Sequence, residues 1–202
     1  MSREKTTDGN KEESIATFYP TSNKQWRQWL QKNHDSKTAV WIECYKKNAN
    51  MPTVVWSDAV DEALCFGWID STRKSVGNDK FIQYFCRRKR NSGWSKINKD
   101  KVQRLIEEGR MSHAGLRCIE QAKQDGSWAA LDGIENLEIP SELNAVLRKN
   151  AKAKAYFTAL SKSKKKMILH WITLAKRPET RQKRADEFVV LARENQLPPQ
   201  FR

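Results

Sequence analysis

The sequence predicts an α+β protein: a small antiparallel sheet flanked by helices, followed by a C-terminal all-helical portion. Three observations predict it. TAVWIECYK at 38–46 alternates with a period of two, placing Val40, Ile42 and Cys44 on one side and Trp41, Glu43 and Tyr45 on the other. WIDSTRKS and KFIQYFCRR are two further strand runs, joined by the turn residues VGND, which makes a hairpin. From Asn98 onward the apolar residues recur at helical spacing between Gly, Asp-Gly and Pro breakers.

Taken in order, residues 1–14 are polar, mixed in charge and aperiodic, the composition of a disordered tail. An α+β domain is expected over 15–130, and a helical region packed on it over 131–202. Ser22 caps a helix whose Trp26, Trp29 and Leu30 share a face. Residues 48–52 form a loop. Ser57 caps the next helix, with Val60, Ala63 and Leu64 as its core stripe, Asp58, Asp61 and Glu62 near the positive end of its dipole, and Gly67 as its stop. Asn98 caps a helix that turns Val102, Leu105 and Ile106 inward and ends at Gly109. A helix from His113 to Gln124 buries Leu116, Ile119 and Ala122, and Asp125-Gly126 breaks it. Ser141, Asn150 and Ser163 open three more. The last of these carries Met167, Ile168, Trp171, Ile172 and Ala175 as its stripe. Pro178 starts the final helix, where its missing N–H does no harm, and Ala185, Phe188, Val189 and Ala192 give that helix its buried face.

The totals narrow the function classes. A chain of 202 residues buries roughly 70% of its unfolded surface, so a core forms without metal or disulfide support. Cys44, Cys65, Cys86 and Cys118 lie 21, 21 and 32 residues apart, which fits neither a zinc site nor a disulfide framework; they read as small buried hydrophobes. No cofactor or metal is predicted. The first twenty residues lack the apolar segment of an export signal, and MILHWITLA is too short to span a bilayer, so the expected location is cytoplasmic.

The charge is lopsided, with 38 Lys and Arg against 24 Asp and Glu. Eight cations and one acid lie between Arg87 and Arg104, and thirteen cations with Glu179 alone lie between Arg148 and Arg184. Arg177, Arg181 and Arg184 are spaced to form a helical ridge. The stretch FCRRKRNSGWSKIN combines Arg88, the hydroxyls of Ser92 and Ser95, the indole of Trp94 and a helix start at Asn98. That combination suits a phosphate, a carboxylate or a stacked base. Asp70 in GWIDS is the acid nearest this cluster, and pairing with Arg73 or Arg88 is its structural alternative. No P-loop, Rossmann glycine motif, nucleophile elbow or zincin motif is present, and His34, His113 and His170 are scattered.

The runs WIECYKK, SDAVDEALCFGWIDS, S-x-W-S-x-x-N, GRMSHAG, QAKQDGSW and WITLAKRPETRQKR together resemble the YdeI/OmpD-associated, or bacteriocin-protection, family over residues 17–195. Arg87 stands where that family usually has proline. The resemblance implies Trp68, Asp70, Arg88, Ser92, Trp94, Asn98, Thr180, Arg181 and Arg184 as ligand-binding positions. It also implies a role in resistance to bacteriocins or antimicrobial peptides, although a chain of net charge +14 is a poor direct trap for cationic peptides. Three readings follow: a binding protein for a small anionic ligand, a nucleic-acid-binding protein using the two cationic runs, and an enzyme with Asp70 as acid or base.

Overall fold

Alternation becomes a strand where one of its sides can be buried, and the segment after Thr38 meets that condition. In the computed structural model, which describes residues 15–202, β2 (Ala39–Tyr45) buries Val40, Ile42 and Cys44 while the residues between them stay half-exposed. The expected tail at 1–14 lies outside the described residues. β3 (Trp68–Val76) and β4 (Lys80–Arg87) form the expected hairpin, with a register shift between Asp70 and Arg73. β4 also pairs antiparallel with β2, bringing Val40 opposite Phe85 and Ile42 opposite Gln83.

The sheet is mixed rather than purely antiparallel. A two-residue strand, β1 (Thr17–Phe18), adds parallel to β2, giving the order β1-β2-β4-β3. Two residues cannot establish an alternation, so this strand has no local signature.

Two helices cover the face carrying Val40, Ile42 and Phe85. α1 (Asn23–Asn33) begins as expected, with the Ser22 hydroxyl accepting from the Gln25 amide at 3.3 Å. Its Trp26 meets the Phe85 ring at 5.2 Å with the planes tilted by 60°, and donates from Nε1 to the Ala59 carbonyl at 3.0 Å. α2 (Trp56–Cys65) starts one residue earlier than Ser57, with Val55 at the cap and no side-chain capping bond. Fully burying residues such as Leu30, Ile42 and Leu64 contributes about 1.5–3 kcal/mol each.

Asp61 and Glu62 are not surface complements to the α2 dipole; each is only 6% exposed. Asp61 pairs with Lys101 and Arg104, and Glu62 receives Arg27 at 2.7 Å and Arg110 at 2.7 Å. Lys101 also donates to the Ser57 hydroxyl at 3.0 Å. A buried carboxylate needs such partners, since desolvation alone costs several kcal/mol. Hydrogen bonds donated to Asp61 and Glu108 hold Arg104 above its ordinary pKa; burial opposes the same shift at Arg110, where bonds to Glu108 and Glu62 prevail.

α3 (Lys96–Glu107) begins before Asn98, and it is the Ser95 hydroxyl that accepts from the Asn98 amide at 3.3 Å. α4 (His113–Gln124) has the expected bounds. Val102, Leu105, Ile119 and Ala122 are buried, whereas Ile106 and Leu116, expected inward, are exposed.

The chain separates into two compact units. One holds the described residues up to Arg90 with Lys101–Gln121, and the other holds Asn91–Asp100 with Ala122–Arg202. The second unit contains the short α5 (Asp132–Glu135), inside the expected linker, then α6 (Ser141–Arg148), α7 (Ala151–Ala159), α8 (Lys162–Thr173) and α9 (Pro178–Arg193). Its core joins Leu143, Leu147, Phe157, Ile168, Leu169, Ile172 and Phe188. α8 is capped by Ser161, not Ser163, through a bond from the Lys164 amide. Pro178 occupies the first turn of α9, and Ala185, Phe188, Val189 and Ala192 are its buried face, as expected.

Candidate functional site

The end of α2, the start of β3 and the end of β4 meet beside α4, and two glycines allow the approach. Gly67 ends α2 with φ +73°, and a Cβ there would lie 3.0 Å from Cβ of Cys118. Gly115 sits so close to the end of α2 that a Cβ would fall 2.3 Å from the Cys65 carbonyl oxygen. That carbonyl accepts from the Ser112 amide at 3.0 Å and from its hydroxyl at 2.6 Å, fixing the entry of α4. The Arg88 amide in turn donates to the Gly67 carbonyl at 3.0 Å.

These constraints leave a cavity of about 290 Å³, lined by His34 and Asp35 after α1, Phe66, Gly67 and Trp68 at the α2–β3 turn, Arg87 and Arg88, and Ala114, Arg117, Cys118 and Gln121 of α4. Trp68 is fully buried; its Nε1 donates to the His34 carbonyl at 3.3 Å, and the His34 ring lies 5.3 Å from Phe66. The His34 Nε2 is 3.3 Å from the Asp35 carboxylate, which points into solvent. Arg87 is fixed through backbone carbonyls, donating to Lys37 at 2.8 Å and to Asp35. Arg88 is largely buried, and that desolvation lowers its pKa to about 10. The lining thus carries three guanidinium groups against a single carboxylate.

Of the nine positions the resemblance implied, Trp68 and Arg88 line this cavity. Asp70 does not line it: its carboxylate accepts from Trp56 Nε1 at 2.9 Å and from Gln83 at 3.4 Å. Arg73, its suggested partner, donates to Gln83 Oε1 at 3.1 Å and lies over the Phe81 ring at 4.2 Å. Ser92, Trp94 and Asn98 belong to the second unit. There Trp94 is 1% exposed and meets the Trp128 ring at 5.0 Å, so its indole offers no open face for stacking. Asn98 lies in the first turn of α3, and Thr180, Arg181 and Arg184 lie on α9. Arg181 donates to Glu142 at 2.8 Å, and Arg184 to the Trp171 carbonyl at 2.5 Å.

The sequence reading did not select Arg87, Arg117, His34 or Cys118 as lining groups. The signal was present in GRMSHAG, whose serine and second glycine dock α4 against α2, but it becomes a site only once Cys65 is known to face it.

A half-buried, arginine-lined hollow thus lies at the end of the mixed sheet of an α+β protein. Residues 18–118 match the family model described as Domain of unknown function (DUF8412), and residues 136–195 match the one described as Bacteriocin-protection, YdeI or OmpD-Associated. The chain belongs to the first family over the half of its length that holds the sheet, and its C-terminal helices carry the YdeI/OmpD-associated signature that the sequence resembled. No curated protein and no solved structure matches the chain. Among the described residues, no helix is long and apolar enough to cross a membrane, and no group of His, Cys, Asp and Glu is arranged to hold a metal ion.

Proposed function

We propose that the protein binds a small anionic ligand, a phosphate or carboxylate compound, in the Arg88 cavity, and that this binding serves a stress or bacteriocin-resistance role. The observation that carries this reading is the lining itself: Arg87, Arg88 and Arg117 share a hollow of about 290 Å³ with Asp35 as its single acid. Guanidinium forks match planar oxyanions in two-pronged geometry. A partly desolvated cation strengthens that attraction relative to one in water. Trp68 and Phe66, both buried, back the hollow from its apolar side and present no open ring face.

A thermal-shift screen of inorganic phosphate, nucleotides and carboxylates, run on the unaltered chain and on Arg88→Ala, tests it. A ligand present at about a hundredfold its Kd stabilises by about 2.7 kcal/mol. The expected result is a clear rise in Tm that Arg88→Ala abolishes. Equal stabilisation of both proteins removes Arg88 from the site and overturns the reading.

The nucleic-acid reading is weakened by how the first cationic run is used. Lys96 pairs with Asp100, Lys99 with Asp132, and Lys101 and Arg104 with Asp61, so half of its eight cations already face carboxylates. A phosphate track needs cations whose counterions can be released.

A further inference from the structure

We propose that the second unit holds a separate site, beside α8, for a single-chain amphiphile with an anionic head, of the class of a medium-chain carboxylate. The starting point is that α8 is apolar on two sides. Ile168, Leu169 and Ile172 enter the core, while Met167, Trp171 and Leu174 line a hollow of about 510 Å³ with Leu131, Ile134 and Phe201. That volume lies within the range of about 300–1,000 Å³ usual for small-molecule sites. Met167 is 40% exposed and Leu174 46% exposed, so the mouth of the hollow is apolar.

The polar groups at this hollow are Glu135, Lys166, His170 and Arg184. Glu135 is engaged by Lys166 at 2.5 Å. Arg184 donates to the Trp171 carbonyl and lies 5.4 Å from the centre of the Trp171 ring, and among the described residues it makes no ion pair with a carboxylate. The ring and carbonyl fix the guanidinium at the edge of the hollow with its charge uncompensated. Trp171 is itself braced edge-on by Phe201 at 5.9 Å. An apolar interior with a fixed cation at its rim selects an apolar chain ending in an anion. A neutral hydrocarbon leaves the guanidinium unused, a bare inorganic anion leaves the hydrocarbon wall unused, and a cationic amphiphile is repelled. The hollow is open to solvent, with a volume suited to one amphiphile molecule, and vesicle binding is the competing outcome that the test separates.

The test is isothermal titration calorimetry on the full chain with dodecanoate kept below its micelle concentration. Dodecyltrimethylammonium, butyrate and anionic phospholipid vesicles serve as comparators. Dodecanoate is expected to bind in a one-to-one complex, dodecyltrimethylammonium at least about tenfold more weakly, and butyrate and vesicles not detectably. Leu174→Asp, which puts a carboxylate at an exposed position on the mouth, is expected to abolish binding with unchanged circular dichroism. Arg184→Gln is expected to weaken dodecanoate about tenfold. Inorganic phosphate is expected not to displace dodecanoate, which keeps this site distinct from the Arg88 cavity. The proposal is overturned by no dodecanoate binding, by equal affinity for the two head groups, by binding to vesicles alone, or by unaltered binding in Leu174→Asp.

Discussion

Helix α2 of the sheet-bearing unit buries two carboxylates, Asp61 and Glu62, and each holds two cations. The described helices of the second unit bury no charged residue. Their paired acids, Asp132, Glu135 and Glu142, are half-exposed, and Lys162 and Lys164 stand in solvent. A similar excess of positive charge is therefore used in two ways. In the first unit it is drawn inward as part of the framework, and Arg88 is one further cation carried into a cavity. In the second the framework is hydrocarbon, and the cations remain at its rim. A hollow with arginine walls belongs with the first arrangement, and an apolar hollow with a charged edge belongs with the second.

The contrast can be broken most forcefully in the hydrocarbon framework. Phe188→Ala, at the centre of the second unit and edge-on to Phe157, is expected to cost about 3–5 kcal/mol in urea unfolding, with no dependence on salt. A loss under about 1 kcal/mol would mean that this unit does not rest on its core. Next in size is Glu62→Gln, which leaves Arg27 and Arg110 facing a neutral amide. Breaking a buried pair in this way is expected to cost about 3 kcal/mol. Glu62 is shielded from solvent while its arginine partners are 31% and 34% exposed, so the cost should fall only modestly between low and high salt; a loss that vanishes at high salt would place the network at the surface.

Arg88 gives a smaller and more specific effect. Burial lowers its pKa to about 10 from an ordinary 12.5, so the folded state binds its proton less tightly than the unfolded state does. The resulting penalty is fully present below pH 10 and is relieved as pH rises through the folded value toward the unfolded one. Without ligand, Arg88→Met is expected to be more stable than the unaltered protein by about 1 kcal/mol at neutral pH. That difference should shrink in paired unfolding curves taken above about pH 10. A difference that does not change with pH would show that desolvation is not what Arg88 experiences. The smallest effect concerns the exposed lysines. α8 opens with Lys162, Lys164 and Lys165 and no acid in its first turn, which opposes the helix dipole. Lys164→Glu is expected to stabilise by about 0.3–1 kcal/mol in thermal unfolding, and a destabilisation would show that this lysine has a structural partner.

Legibility in the sequence followed the range of the interaction. The bounds of α4, the hairpin, the Ser22 cap and the buried face of α9 rest on residues a few positions apart, and they were readable. Ser57 and Ser163 read as caps because serine is a good capping residue, but the helices begin at Trp56 and Lys162, so Val55 and Ser161 hold the cap positions. Trp94 illustrates the same limit at the candidate site. Beside four cations an indole looks available, and only its contact with Trp128, thirty-four residues on, shows that it is covered. Arg88 was legible as a cation near a strand end, but its cavity depends on Gly115 meeting Cys65 fifty residues away.

By itself, the sequence determined the class of fold, the two cationic segments and the residues that alternate or recur on one face, because periodicity and capping are set within a turn or two of the chain. Tertiary structure alone decided that β1 joins parallel, that Asp61 and Glu62 are buried, and that Arg88 with Arg117 and Arg184 with Leu174 border different hollows. Those outcomes depend on which distant surfaces exclude water from one another, and desolvation is a property of the packed chain that no local run of residues carries.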